Sequence, residues 1–401
     1  MVRRIYFDHS ATTPVHPEVA EAMYRFLTGD NFGNPSSIHY FGLQARKAVT
    51  EAREKVAQAI GASPNEIVFT SGGTEADNMA IHGAAVANRK RGNHVITSAV
   101  EHHAVLDAVK NLGKQGFEIT ILPVDEYGMV RVEDVEKAIT DKTTLITIMH
   151  ANNEVGTIMP VAEIGKLARE RGIVFHVDAV QSFGKIPVNV DELGADLLSV
   201  SGHKIYGPKG IGALYVRKGT PWRQTLVFGG GQERRRRAGT ENVPGIVGLG
   251  KAAELALANM EEENRKLTAL RDRLIEGVLN RFEDVILTGH PEKRLPNHAS
   301  FCFKYIEGES LLLSLDMKGI AVSSGSACTS GSLEPSYVLL AMGIPYELAH
   351  GSLRVTMGKD NTEEDVDYFL EVMGPVVERI RAISPLTGKA GEPSLGTAVA
   401  R

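Results

Sequence analysis

The chain has 401 residues, more than one hydrophobic core usually holds, so two domains are expected. A formal net charge of -5 gives no basis for a nucleic-acid or anionic-membrane surface, and no apolar run approaches the length of a membrane span. With two cysteines, Cys302 and Cys328, neither a disulfide framework nor a C-x-x-C metal site is available, which leaves a small molecule as the default substrate.

The N-terminal stretch containing Ile5, Tyr6 and Phe7 is interrupted by Asp8 and His9. It is too short and too polar for a signal peptide, so cytoplasmic residence is expected. Apolar runs at 66–70, 94–98, 145–149, 174–178 and 197–201 read as strands. Between them, 104–114 and 161–171 repeat apolar residues at spacings of three and four, as amphipathic helices do. Short buried strands separated by helices predict a mostly parallel sheet covered on both faces, with ligands at the carboxyl ends of its strands. Gly229-Gly230-Gly231 and the run Arg234 to Arg237 break this pattern. A charge-rich helix is then predicted over 247–281, followed by strands, a Gly/Ser-rich stretch at 323–332 and a closing helix over 363–383. Residues 384–401, rich in Pro, Gly, Ser and Thr, read as a mobile tail.

Three strand ends carry candidate chemistry. After Phe69-Thr70, Ser71-Gly72-Gly73-Thr74 forms a tight turn into a helix opened by Thr74. Backbone N–H groups at such a helix start suit a phosphate, although an ordinary turn capped by Thr74 has the same sequence. Asp178 ends the apolar run 174–178, where a carboxylate needs a cationic partner such as a protonated pyridine nitrogen. A structural ion pair is the plainer alternative. Lys204 follows Ser201-Gly202-His203, and a lysine drawn into a desolvated site can present a neutral amine for imine formation. Taken singly it reads as a surface charge; downstream of a phosphate-type turn and a strand-end acid it does not.

Cys302 alternates with aromatics in Phe301-Cys302-Phe303 and reads as core. Cys328 sits in Ser323-Ser-Gly-Ser-Ala-Cys-Thr-Ser330, without a bulky apolar residue after Val322. Such a segment gains little from burial and is expected to move.

These motifs, with Glu101-His102, Asn152-Asn153-Glu154, Asp178-Ala-Val-Gln181 and Arg237-Ala-Gly-Thr-Glu-Asn242, resemble the cysteine desulfurases of the NifS/IscS type. The resemblance covers nearly the whole chain. It implies an α/β, aspartate-aminotransferase-like fold (fold type I): a large domain at 15–260 with a mostly parallel seven-stranded sheet, and a smaller α+β domain from 1–14 and 261–385. It implies pyridoxal 5'-phosphate as a Schiff base on Lys204. Gly73, Thr74, Ser201 and His203 would surround the phosphate, joined by Thr240 of a neighbouring subunit, so that a homodimer is the simplest closed assembly. Asp178 would pair with the pyridinium nitrogen, Gln181 with the phenolic oxygen, and His102 would stack on the ring and is a candidate for proton exchange. Asn153 and Arg354 would hold the carboxylate of L-cysteine. Cys328 would be the nucleophile that leaves as a persulfide, and the resemblance also makes it a candidate ligand to a shared iron–sulfur cluster. The sulfur acceptor would be an iron–sulfur scaffold protein or a tRNA-thiolation partner. Alternatives weighed from the residues are an aminotransferase, a selenocysteine lyase and a cofactor-free binding protein.

Overall fold

A computed structural model describes residues 3–325 and 334–384. Among these the strands are β1 (Ile5–Tyr6), β2 (Ile67–Thr70), β3 (His94–Ser98), β4 (Glu118–Leu122), β5 (Thr143–Met149), β6 (Val174–Asp178), β7 (Leu197–Ser201), β8 (Gly212–Val216), β9 (Val285–Leu287), β10 (His298–Phe303), β11 (Ile320–Ala321) and β12 (Ser352–Thr356). The main sheet runs in the order β2-β8-β7-β6-β5-β3-β4. Neighbours from β4 to β7 are parallel, whereas β8 is antiparallel to both β7 and β2. The carboxyl ends of β2, β5, β6 and β7 therefore open on one edge. The fold is α/β, with a mostly parallel seven-stranded sheet, as expected.

Burial explains the sequence pattern. Strands β2, β3, β5, β6, β7 and β8 are buried throughout, while the edge strand β4 is partly exposed. Continuous apolar runs are what a strand covered on both faces requires, and neither half-exposed β4 nor buried β8 is among the runs named from sequence. Helices Gly73–Asn88, His103–Lys114 and Val161–Glu170 pack their apolar stripes on the sheet.

A second core forms around β10, which lies between β12 and β9, all antiparallel. Phe7, Phe301, Phe303, Leu353 and Phe369 fill it. The N-terminal β1 joins this core by pairing in parallel with β11. The long helix occupies Val243–Arg281, four residues earlier than its apolar period suggested. Its first part, Val243 to Ala253, packs in the first core and Leu267 to Val278 in the second. The closing helix, Glu363–Ile383, starts on a capping box: Thr362 accepts from Asp365 N, and the Asp365 carboxylate accepts from Thr362 N. Cys302 is fully buried on β10, and burial pushes its thiol up to about 12. It is a packing residue, as its alternation with aromatics indicated.

Candidate active site

A cavity of about 450 Å³ opens at the carboxyl edge of the main sheet. Gly73 and Thr74, His102, Asn153, Asp178, Gln181, Ser201, His203, Lys204 and Arg354 all line it. Sequence reasoning singled out each of these, and the fold gathers them from six separated segments. Thr240 lies outside this cavity and is exposed. Cys328 falls outside the described residues. Ser323, five positions before it in the chain, is part of the cavity wall.

The turn after β2 differs from the expectation in one respect. Its helix starts at Gly73 with Gly72 as N-cap, and no side chain caps it, so Thr74 lies inside the first turn rather than opening the helix. An uncapped first turn facing a cavity favours the anion-binding reading over the ordinary-turn one. Gly212 keeps this turn in place: a Cβ there would lie 2.6 Å from Val200 O and 2.7 Å from Gly72 C. Glu75 accepts from Ser71 N at 2.7 Å and pairs with Arg237 at 2.8 Å, which ties the arginine run to the same turn. Arg236 donates to Asn65 O at 3.2 Å, and Arg234 and Arg235 are exposed. The run is thus half structural.

Lys204 sits in a short 3-10 turn, Gly202–Lys204, directly after β7. Its Nζ donates to the carbonyls of Ser10 and Ala11, the latter at 2.9 Å. Asp178 accepts from Val180 N at 2.9 Å, and burial pushes its carboxyl up to about 6. Asp77 is fully buried beside it and is raised further, first by burial and then by the Asp178 charge. A ligand cation against Asp178 would restore its ionised form. His102 caps the helix His103–Lys114, its Nδ1 accepting from Ala104 N at 3.1 Å. Burial, then the Lys204 charge, lowers it to about 4. The ring is therefore neutral at pH 7 and carries its proton on Nε2.

Arg354, on β12, donates to Asn153 O at 3.0 Å and to Asp8 Oδ1 at 2.9 Å, while its buried Nε has no partner. Ser10 Oγ and Asn153 Oδ1 are likewise buried on the cavity wall without hydrogen-bond partners, and Asp77 Oδ1 there has only His176 Nε2 at 3.6 Å. Orphaned polar atoms around one cavity indicate a polar ligand. A primary amine, a buried acid, a neutral imidazole and an uncapped helix start fit an aromatic aldehyde phosphate with a basic ring nitrogen. Among the described residues no group of three or more His, Cys, Asp or Glu is placed to hold a metal ion.

Comparison with known proteins decides the family. Residues 5–369 match the family Aminotransferase class-V. The chain belongs to that family. Its members depend on pyridoxal phosphate, and the cavity has the groups to hold it. Cysteine desulfurase IscS of Dictyoglomus turgidum is 58% identical over 385 residues, covering 96% of this chain and 97% of that one. A solved NifS-like protein superposes with TM-score 0.88 at 41% identity, covering 94% of this chain and 100% of its own. The structure of SspA in complex with cysteine gives TM-score 0.79 at 38% identity, covering 88% and 98%.

Sequence reasoning missed several contributors. Asp8 and Ser10 come from the N-terminus, whose only signal was its unusual polarity. Asp77 follows Thr74 by less than one helical turn and lines the same cavity. Lys185 bonds Gln181, four positions before it, within a turn, where no helical spacing flags it.

Proposed function

We propose that this class-V family protein is a cysteine desulfurase: it takes sulfur from L-cysteine, releases L-alanine and carries the sulfur as a persulfide on Cys328. The observation that carries the reading is the meeting of Lys204, Asp178, Gln181 and His102 around one cavity, in a chain 58% identical to a protein named cysteine desulfurase.

Pyridoxal phosphate, bound through Lys204, supplies the electron sink that makes the substrate Cα–H bond acidic. Gly73, Thr74, Ser201 and His203 hold its phosphate, Asp178 its ring nitrogen and Gln181 its phenolic oxygen. Arg354 and Asn153 orient the substrate carboxylate, Arg354 exchanging its Asp8 contact for the ligand. The Lys204 amine takes the Cα proton at Nζ. The Cys328 thiolate attacks the substrate sulfur, the carbon–sulfur bond breaks with its electron pair left on the carbon side, and a proton delivered to Cβ followed by return of the Lys204-held proton to Cα gives alanine. Cysteine and an enzyme thiol thus become alanine and an enzyme persulfide, with no external oxidant.

The acceptor in this reading is an iron–sulfur scaffold protein, and the reaction takes place in the cytoplasm. The active form is a homodimer, in which Thr240 of one subunit serves the other's phosphate. Phe32, Ile38, Tyr40 and Phe228 are large apolar side chains between 64% and 89% accessible in the single chain, and such an assembly would give them cover.

The purified protein should be coloured after reconstitution with pyridoxal phosphate and should turn cysteine into alanine and sulfide in equal amounts. Lys204→Ala should lose the colour. Cys328→Ala should keep it while losing sulfur release at least a hundredfold, the scale of a lost nucleophile. Sulfur release at the parent rate by Cys328→Ala would remove the nucleophile assignment. Transamination of a keto acid as the main activity would favour the aminotransferase alternative.

A further inference from the structure

Next to Gln181, Lys185 lines a second, much smaller cavity of about 40 Å³, which shares Lys204 with the main one. Its Nζ is 3.0 Å from Gln181 Oε1. Gln181 Nε2 in turn donates to Ser10 O at 3.0 Å, the carbonyl that also accepts from Lys204. These contacts fix the amide's orientation on chemical grounds. A carbonyl only accepts, so the atom facing Ser10 must be the amide nitrogen, which leaves the amide oxygen to accept from the Lys185 amine. One amide N–H is left over, and Gln181 lines the cofactor cavity.

We propose that Lys185 is a positioning residue that locks the Gln181 amide so that an N–H, not a carbonyl oxygen, meets the phenolic oxygen of bound pyridoxal phosphate. This rests on the cofactor reading above. Without Lys185 the amide has one anchor instead of two, and a rotated amide would set a lone pair against the phenolic oxygen. Lys185 is held in place at a cost. Burial first, then the charges of Lys204 and Arg354, lower its amine to about 7. His9, His203 and His298 feel its charge in turn, and Glu263 also lines the small cavity. An amine buried beside Lys204 and Arg354 is a feature that function, rather than stability, accounts for.

The readout is the pH at which the bound cofactor's visible absorption changes as the Schiff-base proton is lost. A donor to the phenolic oxygen favours loss of that proton, and an opposed lone pair disfavours it. Lys185→Met, loaded with pyridoxal phosphate, should titrate about one pH unit higher than the parent, and Lys185→Arg should return close to the parent value. Because Lys185 acts through Gln181, Lys185→Met should add little shift in a Gln181→Ala background. Three results overturn the proposal: Lys185→Met coloured and titrating with the parent, Lys185→Arg failing to restore the parent value, or equal Lys185→Met shifts with and without Gln181. If Lys185→Met does not fold, the Arg variant and Gln181→Ala carry the test, and a Gln181→Ala titration unchanged from the parent also overturns it. A parent protein that stays colourless defeats the cofactor reading instead, so the two failures are distinguishable.

Discussion

Glu101 shows how a single buried side chain prepares this site without touching its chemistry. It has no exposure, and its Oε1 accepts from Ser98 Oγ at 2.6 Å and from Met149 N at 3.1 Å. Its Oε2 has no partner, and burial pushes the carboxyl up to about 8. It therefore bridges β3 and β5 just beneath His102 in the chain. Between pH 4.5 and 8 the folded state keeps a proton that the unfolded state has released, so this residue's contribution to stability falls as pH rises through that window. Glu101→Gln lacks this titration. Its stability relative to the parent, measured by urea unfolding, should improve steadily from pH 5 to pH 8; a constant difference would show Glu101 ionised in the fold.

At the same scale, what was legible in the sequence depended on where the partner comes from. Asp178 and Lys204 announce themselves because a charge closing an apolar strand has no cheap local explanation. Lys185 does not, since a lysine after Ser182-Phe183-Gly184 reads as a solvated charge. Its enclosure is supplied by the N-terminal segment and by residues beyond 260. Asp8 and Arg354 pair across 346 positions, which no local pattern can reveal.

Among elements, the turn after β2 depends on its neighbour β8. Gly212 is where β8 passes closest to Gly72, and a methyl group there meets backbone on both sides. Backbone cannot rotate away as a side chain tip can. Gly212→Ala should therefore displace the phosphate turn, weakening pyridoxal-phosphate retention and lowering stability by roughly 1–3 kcal/mol, the usual cost of overpacking. Equilibrium dialysis and thermal unfolding would check both; unchanged cofactor affinity would mean that the turn adjusts freely.

The loop that brings the arginine run to this turn is built on a buried pair. Arg53 Nη2 lies 2.6 Å from Glu233 Oε1, and Glu233 Oε2 also accepts from Phe69 N at 2.9 Å. Glu233, Arg234 and Arg235 all take positive φ (45°, 56° and 65°), a conformation that non-glycine residues adopt only when their surroundings impose it. Nothing in Gln232-Glu-Arg-Arg-Arg-Arg237 marks a left-handed turn, because the residue that would signal it, glycine, is absent. The strands read at 66–70, 94–98, 145–149, 174–178 and 197–201 and the helices read at 104–114, 161–171 and 363–383 lie within a few residues of their observed bounds, since those strands are mostly apolar and those helices repeat cleanly.

For the whole molecule, the proposed assembly predicts coupling between association and cofactor binding. An aspartate at Ile38, 89% exposed in the single chain, would place a charge in the apolar surface assigned to the subunit contact. Ile38→Asp should shift sedimentation from dimer to monomer at micromolar concentration and should release pyridoxal phosphate more readily, because Thr240 would no longer be supplied. A variant that is monomeric yet retains the cofactor as the parent does would separate the two properties and return Thr240 to a surface role.

The register of β1 has a bearing on how the protein is made. Ile5 aligns with Ile320, and Asp8 reaches Arg354 across 346 positions, so this segment has its seat built by chain that leaves the ribosome long after it. During synthesis the carbonyls of Ser10 and Ala11 have no fixed place, and the reactive amine they hold lacks its restraint until the nascent chain has grown past β12. The surroundings of Lys204 are thereby completed only after β12 has been made.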